Sequence, residues 1–201
     1  MLTTLRTMLI AAALAAALLL ACGGDDEITT PTPVVNDTPA NCLKVVEGSW
    51  NSRDYHRYRA TLSPNFVFYF NPNDIGDDVE GYIIPVSWDY VEMNAAIQHM
   101  FNEAYSIKIS IPTSGVGTPG DEDTIWHAEN VNIGFELLTS PGNGWRIGAG
   151  YCNFEFEKYE DNGADHWRLT KWWDYTREAR AAASIPGLAP ASLGRVLAFF
   201  N

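Results

Sequence analysis

The stretch NSRDYHRYRATLSPNFVFYF, residues 51–70, changes its period part-way along. Asn51 and Ser52 offer a helix cap, and Arg53–Leu62 places Tyr55, Tyr58 and Leu62 three and four residues apart. That spacing is one face of a short helix. Ser63-Pro64-Asn65 stops it, since proline brings no N–H to the helix ladder. Phe66–Phe70 is then an aromatic run of strand type. Helix and strand follow one another with a single short turn between, so a mixed α and β core is expected.

The flanks extend the pattern. Pro39–Trp50 carries Leu43, Val46 and Trp50 at helical spacing. Residues 71–87 hold two Pro, two Gly and four acids and read as a loop. Ser87 is a candidate cap for a third helix over Trp88–Tyr105, with Tyr90, Met93, Ile97, Met100 and Phe101 on one side. After it the period becomes twofold. Ile107, Ile109 and Ile111 alternate with polar residues, and 113–123 is a Gly, Pro and acid loop. A long strand over 124–138 places Ile125, His127, Glu129, Val131, Ile133, Phe135 and Leu137 on one face. Pro141-Gly142-Asn143-Gly144 turns the chain into 144–159, where the inward positions change phase near Gly148 and Gly150, as at a bulge. Asp161-Asn162-Gly163 leads to a last strand, His166–Tyr175. The order predicts an α+β fold: a curved antiparallel sheet wrapped on N-terminal helices, with a mouth at one end.

The run from Asn51 to Phe70 resembles the opening of nuclear-transport-factor-2-like, cystatin-like and polyketide-cyclase-like cone proteins, and more closely a set of uncharacterised bacterial lipoproteins with that cone-shaped, cystatin-like roll. Trp167–Asp174, WRLTKWWD, is similar to the last strand of that family, of Trp-x-Ile-x-x-Trp-x-Asp type. The tail Ser192–Phe200 resembles the family's closing Ser-Trp-Gly-x-x-Lys-x-Leu element, with Leu193 for Trp and Val196 for Lys. The resemblance covers roughly residues 40–200 and specifies a fold rather than a reaction. It implies that an enzymatic member would use an acid or His–acid pair inside the cone, and that Asp174 is a structural hydrogen-bond acceptor.

The N-terminus reads as an address. Met1–Met8 carries Arg6, Leu9–Leu20 is apolar, and Leu19-Leu20-Ala21-Cys22 resembles the bacterial lipobox. The apolar run has the length of a signal-peptide core and is short for a membrane span. Residues 1–21 are thus expected to be a lipoprotein signal peptide, with Cys22 lipidated and 22–38 a flexible tether. The cone domain would occupy 39–176 and a helical tail 177–201, the latter with helices at Arg177–Ala183 and Ser192–Phe200. The second of these carries Leu193, Val196, Leu197 and Phe200 in a stripe that would dock on its own domain or on an envelope protein partner. Gly23 stands where inner-membrane lipoproteins often have Asp, which favours the outer membrane within the cell envelope.

Charge and motifs exclude several classes. The chain of 201 residues has a formal charge of −12, so electrostatic capture of nucleic acid is not expected. No Gly-x-Gly-x-x-Gly, phosphate loop, Gly-x-Ser-x-Gly or His-Glu-x-x-His occurs, and no cofactor or metal is assigned. Asp74, Asp77, Asp78 and Glu80 lack the alternation of a calcium loop and read as solvated charge. Two thiols remain after lipidation, Cys42 and Cys152, which would form either a disulfide or two buried thiols. His127 and Glu129, about 6.6 Å apart at Cα on one strand face, would form an acid–base pair if that face is inward. The alternative is that both are solvated. Tyr55, Tyr58, Tyr69, His99 and Trp173 are candidate contacts for a small apolar or aromatic ligand. Two functions remain open at this point: a lipid-anchored binding or interaction module without catalysis, and a small isomerase, dehydratase or cyclase using His127 and Glu129.

Overall fold

Thr38 starts the first helix, α1 (Pro39–Ser52): its hydroxyl accepts the Asn41 N–H, and proline occupies the first turn. Arg53 ends it in the left-handed conformation, with its N–H returned to Ser49 and Trp50. In this computed structural model, residues 34–178 and 186–201 are described. The expected signal segment, Cys22, the tether up to residue 33 and residues 179–185 lie outside them; of the helix expected over Arg177–Ala183, the two described residues, Arg177 and Glu178, form a short strand instead, paired with residues 147–149. Asp54 caps α2 (Tyr55–Arg59), and β1 (Leu62–Tyr69) follows. The acidic loop contains a small hairpin, β2 (Asp78–Val79) and β3 (Tyr82–Ile83), and β4 (Ser87–Asp89) leads into α3 (Tyr90–Glu103). The cap of α3 is Asp89 and not Ser87. Its carboxylate accepts the Val91 and Glu92 N–H groups while Glu92 accepts from Asp89 N–H, a complete capping box that Ser87, two residues further from the helix start, cannot offer.

The strands that follow are β5 (Ser106–Ser110), β6 (Ile125–Asn132), β7 (Gly134–Ser140), β8 (Asn143–Ala149), β9 (Tyr151–Asp161), β10 (Ala164–Asp174), β11 (Arg177–Glu178) and β12 (Leu188–Pro190), with α4 (Leu193–Phe199) last. With β1 and β4 they form two five-stranded sheets, one ordered β4-β1-β10-β9-β6 and the other β11-β8-β7-β5 with β12 beside β8. Three neighbouring strands pass from one sheet to the other. β6 continues into β7 at Ile133, β8 into β9 at Gly150, and β10 into β11 through Tyr175 and Thr176. The two sheets are therefore one curved, unclosed sheet bent along a corner, antiparallel except for β1 beside β10 and β12 beside β8. Gly150 makes the bend at φ +133, and a Cβ there would lie 2.5 Å from Thr176 Cα. The change of phase expected near Gly148 and Gly150 is this corner.

α1 packs on β5 and β10, and α3 on β1, so the helices fill the concave side. Trp50 is the centre of that packing. Its ring lies 5.9–6.1 Å from those of Tyr58, Phe101, Phe135 and Trp172. Three of these contacts are edge-to-face, the arrangement the ring quadrupole favours.

Both ends of the domain are joined to it more closely than the sequence suggests. Asn36, read as tether, accepts the Trp167 N–H through its carbonyl, and its amide donates to Trp167 O. At the other end Leu193, Val196, Leu197 and Phe200 are all buried in the same core. The tail stripe therefore docks on its own domain. Asp174, the structural acceptor of the resemblance, holds it: Oδ1 accepts Thr176 N–H and Oδ2 accepts Gly194 N–H at 2.8 Å each. The Thr176 hydroxyl takes Leu193 N–H, and Asn71 donates to Thr176 O. Asp74 and Asp77 join the same junction, accepting from Ser192 Oγ and pairing with Arg195. The acidic loop is thus not simply solvated: Asp74 is buried, because a serine hydroxyl of the tail reaches it.

Burial pushes Asp174 up to about 6, against its hydrogen bonds from Thr176 and Gly194 and with added repulsion from Asp74. A carboxyl raised in the folded state disfavours folding when ionised. Its contribution therefore grows as pH falls through about 6 and is complete below its ordinary 3.8, on the order of 3 kcal/mol in all. His99, on α3, acts in the same direction. Its hydrogen bond to Phe200 O, followed by Glu103, raises its pKa, so the stability it adds at the tail is fully present below the ordinary 6.5 and declines as pH rises through the folded value. Amide exchange in residues 193–200, corrected for intrinsic rates, is accordingly expected to be slower at pH 5 than at pH 7.5. The difference should shrink in Asp174→Asn, and faster exchange at pH 5 would refute this account of the junction. Gly194→Ala is expected to cost about 1–3 kcal/mol in denaturant unfolding, because its Cβ would meet the Phe70 ring at 2.7 Å.

Candidate functional site

A bulge decides where the sequence's best acid–base candidates stand. Between Ala128 and Val131 the pairing of β6 with β9 shifts, and Asn130 adopts φ +55, a conformation asparagine tolerates better than most residues. Its N–H is taken by the Asn153 side chain at 2.8 Å. Before the bulge, Ala128 points inward; after it, Val131, Ile133, Phe135 and Leu137 do. His127 and Glu129 precede the change and stand exposed on the outer face. The inward-facing pair is therefore not formed.

On that outer face His127 and Glu129 share a shallow groove of about 190 Å³ with Asn153, Phe154, Trp173 and Tyr175. The carboxylate nearest His127 in charge terms is Glu155, with Nδ1 to Oε2 at 3.9 Å, an ion-pair distance too long for a hydrogen bond. Glu155 is engaged elsewhere, accepting from Thr170 Oγ1 at 2.8 Å and Lys171 Nζ at 3.0 Å. Burial works to raise its pKa, but those two hydrogen bonds outweigh it and hold the carboxyl below its usual range. A carboxylate so stabilised is a poor proton acceptor.

The remaining candidates separate. Tyr69 and Trp173 face outward and stack at 5.4 Å, with Lys171 5.8 Å from the Trp173 ring. His99 lies on the far side of α3, tied to Phe200 O at 2.7 Å and Glu103 at 2.8 Å. Tyr55 packs partly buried against the core, and Tyr58 is wholly inside it. Burial drives the Tyr58 phenol well above its ordinary pKa, and neither its hydroxyl nor the Trp50 indole N–H has a hydrogen-bond partner. Cys42 and Cys152 are separate buried thiols, not a disulfide. The Cys42 sulfur lies 3.9 Å from Thr61 O and that of Cys152 3.9 Å from Asp174. Burial pushes Cys42 up to about 12 and raises Cys152 as well, so neither thiol is primed for reaction. Among the described residues no three His, Cys, Asp or Glu side chains are placed to hold a metal ion.

A larger groove lies elsewhere, on residues the sequence did not single out as a site. About 500 Å³ is enclosed by His56, Arg59 and Ala60 of α2 and its cap, Leu62 and Pro64 of β1, Tyr90 of α3, and Tyr159, Asp161 and Arg168 of the β9–β10 hairpin. The Arg168 guanidinium carbon sits 3.5 Å from the Tyr159 ring centre, and its Nε is buried without a partner. Asn36 donates to the Tyr159 hydroxyl at 3.2 Å and so fixes that ring. Arg59 Nε donates to Tyr90 OH at 2.8 Å, a bond that raises the already high pKa of Arg59. Only the run YHRYR hints at this arrangement in sequence; its partners on β9 and β10 are a hundred residues away. A second groove of about 270 Å³ lies between the β2–β3 hairpin and the tail, lined by Val79, Trp145, Pro190, Arg195 and Phe199 among others.

No family model matches the chain, and no curated protein matches it in sequence. Solved structures do. An NTF2-like protein of unknown function from Cytophaga hutchinsonii is 10% identical, with a TM-score of 0.37 over 73% of this chain and 93% of that one. A cystatin-like-fold protein of unknown function from Nostoc punctiforme is 12% identical, TM-score 0.41, over 66% and 83%. Bd1075 of Bdellovibrio bacteriovorus is 9% identical, TM-score 0.44; 65% of this chain is covered but only 37% of that one. These likenesses concern the fold alone, and two of the three proteins carry NTF2-like or cystatin-like names.

The unpartnered Tyr58 hydroxyl gives a check on the interior. Tyr58→Phe is expected to leave thermal stability unchanged or raise it by about 1 kcal/mol, since a buried donor without an acceptor is removed. A loss above that size would show that the hydroxyl is bonded inside the folded protein.

Proposed function

We propose that this chain is a lipid-anchored protein of the bacterial cell envelope, sorted to the outer membrane, whose cone domain is a non-catalytic module binding a small ligand. The observation that carries the binding half is the placement of polar chemistry. The concave face is packed with aromatic rings around Trp50, and the candidate acid and base lie outside on solvent. The groove between α2, β1 and the β9–β10 hairpin is of small-molecule size and carries Arg59, Arg168, Tyr90 and Tyr159, groups that bind and orient a ligand, beside His56 and Asp161. The isomerase, dehydratase or cyclase reading has less support, because its one specific feature was an inward His127–Glu129 pair.

The anchor rests on Leu19-Leu20-Ala21-Cys22. No described helix is long and apolar enough to cross a membrane. Acyl chains on Cys22 would hold the protein at a bilayer without one.

Native mass spectrometry of the protein, extracted gently from its own envelope, tests both halves. The expected spectrum shows loss of residues 1–21, a lipid mass on Cys22 that is absent in Cys22→Ser, and a reproducible adduct of small-molecule mass on the domain. A chain that keeps residues 1–21 overturns the anchor. A ligand-free spectrum, together with turnover of a candidate substrate that is lost in His127→Ala, overturns the binding module.

A further inference from the structure

We infer that the groove between α2, β1 and the β9–β10 hairpin recognises an oxyanion, a phosphate or carboxylate carried on an apolar or aromatic body. The inference rests on the binding-module reading and names the ligand class that this groove would take.

Charge supplies the first argument. With 25 acids against 13 bases, a cation on this protein has carboxylates in excess around it. Yet among the described residues no carboxylate lies within 4.0 Å of either Arg59 or Arg168, although both line one groove. Asp161 lines it too, and Glu157 sits opposite Arg168 in the β9–β10 register, but neither makes an ion pair with these guanidiniums. Two guanidiniums without an ion-pair partner thus line one groove, and an oxyanion bound between them would be attracted by both.

Preorganisation is the second argument. Arg168 is held face-on to Tyr159, which leaves its in-plane N–H groups free at the edges, and edge donors are what bind an oxyanion in pairs. Arg59 is oriented by its single bond to Tyr90 OH, so its terminal nitrogens stay free. Little side-chain entropy is left to lose on binding, which favours affinity.

The walls set the rest of the ligand. Leu62, Pro64 and Ala60 give an apolar side, and Tyr90 and Tyr159 give rings. A bare inorganic ion would leave most of a volume of about 500 Å³ unused. A side chain from the start of the described domain also reaches the groove, since Asn36 bonds Tyr159. The same chemistry therefore admits two sources, a soluble aryl or alkyl oxyanion and the phosphodiester headgroup of a lipid.

The test uses the full lipidated protein in a neutral detergent, titrated with phenyl phosphate by isothermal calorimetry. Binding is expected, weakened about tenfold or more by Arg59→Gln and by Arg168→Gln and abolished in the double variant, with Glu129→Gln on the outer face unchanged. Arg59→Gln is the safe variant, since its guanidinium is exposed and touches only a tyrosine hydroxyl. Arg59→Lys should restore binding only partly, as an ammonium lacks the fork. Competition by short-chain phosphatidylglycerol but not phosphatidylcholine would assign the headgroup source; competition by neither, with phenyl phosphate bound, would assign the soluble one. Absence of phenyl phosphate binding, or binding indifferent to Arg59→Gln and the double variant, overturns the inference. A neutral adduct in the native spectrum that survives Arg59→Gln would overturn it while leaving the binding module in place.

Discussion

A β-sheet can be bent through a corner only where the backbone can change direction without leaving its hydrogen bonds unmade, and this fold turns on one such place. At Gly150 the chain passes from β8 to β9 against Tyr175 and Thr176, with no room for a side chain. Tyr175 N–H is still taken by Tyr151 O across the bend. Because the neighbouring strands turn at the same level, the sheet curls as a unit and its concave side closes on α1 and α3. The same corner ends at Asp174 and Thr176, the groups that receive the N-terminus of α4. Curvature and tail docking are therefore one construction, and a buried carboxylate is retained there because backbone donors from two elements converge on it.

Much of this was legible because it depends on period. The helix at Pro39, the turn from helix to strand at Ser63–Asn65 and the twofold runs from Ser106 onward are local patterns, and each element stands within a few residues of its expected place. The glycines at the corner also announced themselves, since two in three residues of a strand have little other purpose. What period cannot carry is a break in itself. The long strand reads as continuous alternation from Ile125 to Leu137, and a single extra residue at Glu129-Asn130 reverses the half that mattered for chemistry. Asparagine was the available sign, being tolerant of positive φ, but its weight is small beside seven alternating residues.

Pairings remote in sequence were the other loss. Ser192 with Asp74 and Arg195 with Asp77 are each 118 residues apart, so the acids of one loop and the polar start of the last helix looked like separate surface features. The groove of Arg59 and Arg168 failed to show for the same reason. No spacing rule brings α2 beside the β9–β10 hairpin; that follows from β1 lying parallel to β10, a crossover that only the assembled sheet reveals.

Core packing and exposed polar chemistry are accordingly separated in space. Filling the cone with Trp50 and its ring contacts stabilises a small domain that bends its sheet sharply, and it removes the dry polar pocket in which acid–base chemistry would be tuned. Polar work is pushed to the rim and the outer face. There solvent screens a lone imidazole such as His127, whereas a guanidinium keeps its charge at every relevant pH and a stacked tyrosine keeps it in place. A rim site of this composition suits recognition that persists as pH changes. A proton-transfer site would need the burial that this core has given to packing.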